Sequence, residues 1–180
     1  MGRWPIADSR LPMGRWAVAT AAALLCGPVL ATPAGAQDQI GIAVGATPPP
    51  VTLQDLDGNP VDLGQFVHKK PVLVEFWATW CPLCKKLLPR LTAARAQHDT
   101  TVAFLIVAVG VGQTPSSIRR HLAEEAMPGL VLWDGEGKAV RAFDAPGTSY
   151  IVALDRTGRV AYTGYGADQD IAAAVEKALR

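Results

Sequence analysis

The stretch "VEFWATWCPLCKK" runs from Val74 to Lys86 and sets Cys81 and Cys84 two residues apart behind an apolar, aromatic-rich run. A CxxC pair can hold a metal, attach a haem, staple a fold or exchange electrons with another protein. A structural zinc site takes four Cys or His ligands, often as two CxxC pairs. This chain has one pair, and His68, His98 and His121 are scattered away from it, so a structural zinc is not expected there. Haem attachment requires His directly after the second cysteine, where Lys85 stands. A bridge this short closes almost no loop and stabilises little in the chain-entropy picture. Two soft thiolates suffice for Cu(I), so a copper carrier stays open as an alternative, with no His or Met near the pair in sequence to support it. Redox exchange fits best.

The flanking residues say why the pair would be reactive. "PVLVEFWATW" (Pro71–Trp80) is a near-continuous apolar run, as in a strand buried on both faces. A helix is expected from about Pro82 to Gln97, with Leu83, Leu87, Leu88 and Leu91 at helical spacing. Cys81 then sits at a helix N-terminus, where unpaired N–H groups and the helix dipole favour the thiolate. Cys84 falls one turn further in, on the same side and more buried. The expected arrangement is an exposed attacking thiol and a shielded resolving thiol, with Lys85 and Lys86 adding positive charge. Glu75 is the one charge inside "VLVEFW". Burying it ionised is costly, so its carboxyl should titrate nearer neutrality, a range suited to proton transfer. The competing reading has Glu75 reaching solvent or a buried water at a sheet edge.

Working outward, "VTLQDLDGNPVDL" (Val51–Leu63) alternates around "DGNP" and predicts a hairpin. "VAFLIVAVG" (Val102–Gly110) predicts a second buried strand and "GLVLWD" (Gly129–Asp134) a third strand. Between them, "QTPSSIRRHLAEEAM" (Gln113–Met127) predicts a helix capped by Thr114 with Pro115 first. A short helix is expected at Ala139–Phe143. "SYIVALDRTGRVAYTGYG" (Ser149–Gly166) reads as a hairpin turned at "DRTG", and "DQDIAAAVEKALR" as a closing helix with acids in its first turn and bases in its last. Strands alternating with helices predict an α/β sheet covered on both faces. Trp133 and Tyr150 read as core or half-buried strand residues, His121 as solvated, and the acids of "AEEA" as a helix face.

The 180 residues bound the chain to one domain, and its 49% hydrophobic content carries an excess at the N-terminus. Trp16–Ala36 holds no charge, follows Arg3, Arg10 and Arg15, and ends in the small-residue pattern "AGA". Residues 1–36 therefore read as an export signal, the rival being an uncleaved membrane anchor. Residues 37–50 read as a flexible lead-in and 51–180 as the folded domain. Residues 1–36 contain three of the 17 Lys and Arg and one of the 16 Asp and Glu, leaving 14 basic and 15 acidic residues. No basic patch for nucleic acid remains. Cys26 lies in the signal, so Cys81 and Cys84 are the only cysteines after it.

"FWATWCPLC" resembles a thioredoxin-fold active site, with Phe76, Trp77 and Trp80 before the first cysteine and Pro89 eight residues after it. The hairpins at Val51–Leu63 and Ser149–Gly166 resemble those of the exported TlpA/ResA-type thiol–disulfide oxidoreductases, and the resemblance spans roughly residues 45–179. It implies a thioredoxin fold, α/β with a central mixed sheet, helices on both faces and an N-terminal hairpin extension. It implies that Cys81 attacks, Cys84 resolves and Glu75 accepts the resolving cysteine's proton, with Trp80, Pro82, Leu83 and Ser149 as neighbours of the site. It implies no organic cofactor beyond the Cys81–Cys84 disulfide, and a periplasmic or extracytoplasmic monomer. The partners implied are disulfides of exported proteins or apocytochrome-type thiols, and a membrane thiol electron donor. A thiol peroxidase is a further alternative, because peroxiredoxin-like chains share the entry hairpin. One position departs from the pattern. Where such proteins place a cis-proline facing the cysteines, this chain has Ser149, and the nearest proline is Pro146.

Overall fold

The structure is a computed structural model that describes residues 40–180. The expected export signal lies outside the described residues. Seven strands form one sheet in the order β2-β1-β5-β4-β3-β6-β7. The strands are β1 (Thr52–Gln54), β2 (Pro60–Asp62), β3 (Val72–Trp77), β4 (Ala103–Val109), β5 (Leu130–Asp134), β6 (Tyr150–Leu154) and β7 (Val160–Tyr165). The helices are α1 (Pro82–His98), α2 (Pro115–Glu124), α3 (Lys138–Ala142) and α4 (Ile171–Leu179). A 3₁₀ turn at Leu63–Gln65 follows β2. β3, β4 and β5 run parallel, joined by α1 and α2, while β6 pairs antiparallel to β3 and β7 to β6. The sheet is therefore mixed, as the resemblance implies.

Alternation along β3 assigns its two faces, since successive side chains point to opposite sides. Leu73 packs in a cluster with Leu87 and Leu91 of α1 and Ile171 and Val175 of α4. Val74 and Phe76 belong to the other cluster, and Phe76 meets Phe143, just beyond α3, edge-on at 5.7 Å. Trp77 is on the Leu73 side and its ring lies 5.3 Å from His121 of α2. So α1, α2 and α4 cover one face and α3 the other.

The N-terminal hairpin extends the sheet. β1 pairs with β2 and joins β5 antiparallel at Gln54↔Trp133, which leaves β2 at the edge. Both hairpin turns use one device. Asp55 accepts from the N–H of Asp57 and Asn59 through Oδ1, and Asp155 does the same from Thr157 and Arg159. The Asn59 side-chain amide on Asp55 and the Thr157 hydroxyl on Asp155, with these backbone bonds, hold both carboxyls below their usual range against the opposing effect of burial. Gly58 and Gly158 occupy the left-handed position that each turn requires, at φ 88° and 80°.

Three expectations need correction. β3 ends at Trp77 rather than Trp80, because Ala78 C=O accepts from Cys81 N–H and turns the chain. The segment expected to be a flexible lead-in is tied down over residues 42–46. Ile42 N–H donates to Phe143 C=O and to the Tyr150 hydroxyl, and Gly45 N–H donates to Val160 C=O. Finally, α4 has no acid in its first turn; Asp170 precedes it as N-cap and accepts from Ala173 N–H at 3.0 Å.

Candidate active site

Cys81 is the N-cap residue of α1, in extended conformation, and its Sγ accepts from Cys84 N–H at 3.1 Å. One orphan N–H of the helix is thereby satisfied by sulfur, the placement that lowers a thiol's pKa. The two cysteines are joined as a disulfide with Cα atoms 5.3 Å apart. Their exposures differ less than the sequence suggests: in the disulfide Cys81 is 5% and Cys84 1% exposed. Pro82 opens α1 and is exposed; Leu83 is half-buried against the core.

A cleft of about 140 Å³ sits over the pair. Trp77, Trp80 and Leu88 line it from the active-site segment, and His121, Glu125 and Met127 from α2 and the chain just beyond. Trp80 is 51% exposed, with its indole N–H donating to Val111 C=O at 2.8 Å. His121 is not simply solvated. It packs on Trp77 and its Nε2 lies 3.5 Å from Glu125 Oε2, so part of the "AEEA" face is a wall of the cleft. The absence of His and Met beside the cysteines in sequence thus does not carry into the fold. Among the described residues, no group of three His, Cys, Asp or Glu forms a metal-ligand set.

Glu75 is 0% exposed on β3, between β4 and β6, so it reaches neither an edge nor bulk water. It shares the Leu73–Trp77 face that α1 covers. Neither carboxyl oxygen has a hydrogen-bond partner, and burial pushes the carboxyl up to about 8.

Ser149 is fully buried immediately before β6, across from the end of β3. Its N–H donates to Phe76 C=O at 2.7 Å, and its hydroxyl to Gly166 C=O at 3.1 Å. Its own C=O accepts from Gly166 N–H and from Gln169 Nε2. With φ at 62° it is left-handed, and no peptide bond among the described residues is cis. Neither Ser149 nor Pro146 reproduces a cis-proline. Ser149 is absent from the cleft lining, and its polar groups are all used inside the fold.

Sequence reasoning passed over two buried glutamines. Gln113 holds the loop before the cysteines and Gln169 the loop bearing Ser149. Each stands in a polar connecting segment with no periodic pattern to mark it.

Residues 43–179 match the redoxin family. This chain belongs to that family. Within it, the chain is similar to thioredoxin-like proteins of the ResA type. It is 27% identical to the thiol-disulfide oxidoreductase ResA of Bacillus subtilis (strain 168) over 66% of this chain and 65% of that one. The redoxin thus spans about two thirds of that relative's length. A solved thiol:disulfide interchange protein from Bacteroides sp. is 26% identical at TM-score 0.62, covering 76% of this chain and 90% of the other. The thioredoxin domain of a thiol-disulfide oxidoreductase from Bacteroides vulgatus shares the fold at TM-score 0.65 and 24% identity, over 76% and 97%. No helix among the described residues is long and apolar enough to cross a membrane.

Proposed function

We propose that this redoxin is an extracytoplasmic thiol–disulfide oxidoreductase that reduces disulfides of exported proteins through Cys81 and Cys84. The observation that carries this reading is Cys81 as N-cap of α1, its sulfur accepting a backbone N–H, in a cleft beside its resolving partner. The relatives named as thiol-disulfide oxidoreductases and the uncharged segment Trp16–Ala36 behind three arginines support it.

In the reduced protein the Cys81 thiolate attacks one sulfur of the partner's disulfide. That bond breaks, one partner thiolate leaves, and a mixed disulfide forms. Cys84 gives its proton to Glu75 and attacks Cys81 Sγ. The second partner thiolate leaves and is protonated, so two electrons have passed to the partner and the Cys81–Cys84 disulfide remains. A carboxyl titrating near 8 matches a thiol's own range, which suits it to this transfer. A membrane dithiol donor reverses the exchange and restores the pair.

The test is turnover of a model protein disulfide by the reduced protein. Wild type should exceed Cys81→Ser by at least about 100-fold; equal rates overturn the reading. The reduction potential of the pair fixes the direction, with about 30 mV worth about 1.4 kcal/mol. One observation favours a second reading. Met127 and His121 share the cleft with both sulfurs, putting a soft thioether and an imidazole at hand for Cu(I). Stoichiometric Cu(I) uptake without disulfide exchange would select it.

A further inference from the structure

The turn that delivers Cys81 to its helix has few bonds of its own. Cys81 N–H donates to Ala78 C=O at 3.0 Å. The other anchors come from the β4–α2 loop: Val111 C=O receives the Trp80 indole, and Gln113 does the rest. Gln113 is nine-tenths buried. Its Oε1 accepts from Thr79 N–H at 2.9 Å; its Nε2 donates to Val109 C=O at 2.8 Å and to Trp77 C=O at 3.4 Å. Only this amide orientation works, since the flipped one would set NH₂ against an N–H and oxygen against two carbonyls. One side chain therefore binds the last residue of β3, the last residue of β4 and the middle of the turn.

We propose that Gln113 is a positioning residue of the dithiol site, its amide holding the Ala78–Trp80 turn so that Cys81 is presented at the N-cap of α1. The stabilisation of a thiolate at a helix terminus falls off within a single turn of helix, so it depends on where this segment puts the sulfur. Released from the clamp, Thr79 N–H and the two carbonyls seek water, and the turn shifts Cys81 off the cap. The functional meaning of this role rests on the oxidoreductase reading, but the geometric claim does not.

The test reads Cys81 by mass spectrometry of its own peptide, so that Cys26 is not counted, after alkylation with iodoacetamide across pH in the reduced full-length protein on a Cys84→Ser background. Gln113→Met, close in size but without donor or acceptor, should slow alkylation near pH 7 about tenfold and move the pH midpoint upward. Gln113→Glu, which when ionised keeps the acceptor for Thr79 but loses the donor to both carbonyls, should also alkylate more slowly than wild type. Equal alkylation profiles for wild type and a folded Gln113→Met overturn the proposal. Should Gln113→Met not fold, amide hydrogen exchange of the unmodified protein decides. Thr79 N–H should be protected like a strand amide; exchange at the rate of an open loop overturns the clamp. Iodoacetamide needs no disulfide substrate, so a protein that alkylates as expected but turns over nothing sinks the oxidoreductase reading alone.

Discussion

The middle of β3 and the loop beyond its end treat buried polarity in opposite ways. Glu75 is wholly enclosed and neither oxygen has a partner. Gln113, nearly as enclosed, makes three bonds with one amide. Leaving a buried polar group unpaired costs roughly 1–3 kcal/mol, whereas a satisfied one costs little and fixes geometry. The unbonded acid can change its charge, whereas the amide has none to change and serves only as donor and acceptor. The two stand apart as an enclosed group with no bond and an enclosed group with three.

Ser149 offers the hardest way to break this comparison, because it is a satisfied group at a special backbone angle. Ser149→Pro, the residue expected from the wider fold, cannot adopt φ 62° and removes the N–H donated to Phe76. It should destabilise by roughly 3 kcal/mol or more, as measured by urea unfolding. A neutral result would mean that the loop can rearrange and that its bonds are not what holds it.

Glu75→Gln tests the other side. Resolution of a mixed disulfide by Cys84 should slow about 100-fold, the usual scale for a lost general base, and stopped-flow measurement of Cys81–Cys84 closure would show it. The same variant has a stability signature. Below about pH 4.5 the acid is protonated in both folded and unfolded chains, and its ionisation costs nothing. Between about 4.5 and 8 the unfolded chain ionises while the folded one keeps its proton, so stability drains as pH rises. The slope should approach about 1.4 kcal/mol per pH unit at its steepest, flatten above about 8, and vanish in Glu75→Gln. Unfolding curves at pH 5 and 8 that fall equally in both proteins would show Glu75 to be hydrated rather than dry.

Gln169→Leu sharpens the comparison at its weakest point. Gln169 is half satisfied: Nε2 donates to Ser149 and Gly166 carbonyls, while Oε1 is unpartnered. Both carbonyls keep another donor, Gly166 N–H and the Ser149 hydroxyl. The loss should therefore be only about 1 kcal/mol. A cost of several kcal/mol would put Gln169 beside Gln113 as a structural clamp.

The parts legible in the sequence are those written in local pattern. The run before Cys81, the helical spacing of Leu87 and Leu91, and Asp55 and Asp155 at their turns all act on near neighbours. Glu75 was legible because a charge inside an apolar strand has few places to go. Gln113 and Gln169 were not, because their partners lie 34 and 20 residues away and a polar residue in a loop looks solvated until the loops meet. His121 misled for the same reason: its own helix shows two arginines beside it, and only packing turns it toward Trp77. Ser149 could be located as a departure, but its left-handed, fully bonded state depends on Phe76 and Gly166 from other strands and turns.

The edge strand β2 bears on how this protein survives at high concentration. It is three residues long, begins with Pro60 and ends with Asp62, both exposed. Proline offers no N–H to a neighbouring strand, and an outward acid repels its own copy, so this margin is a poor template for edge-to-edge aggregation. The hairpin that enlarges the sheet also seals one of its borders.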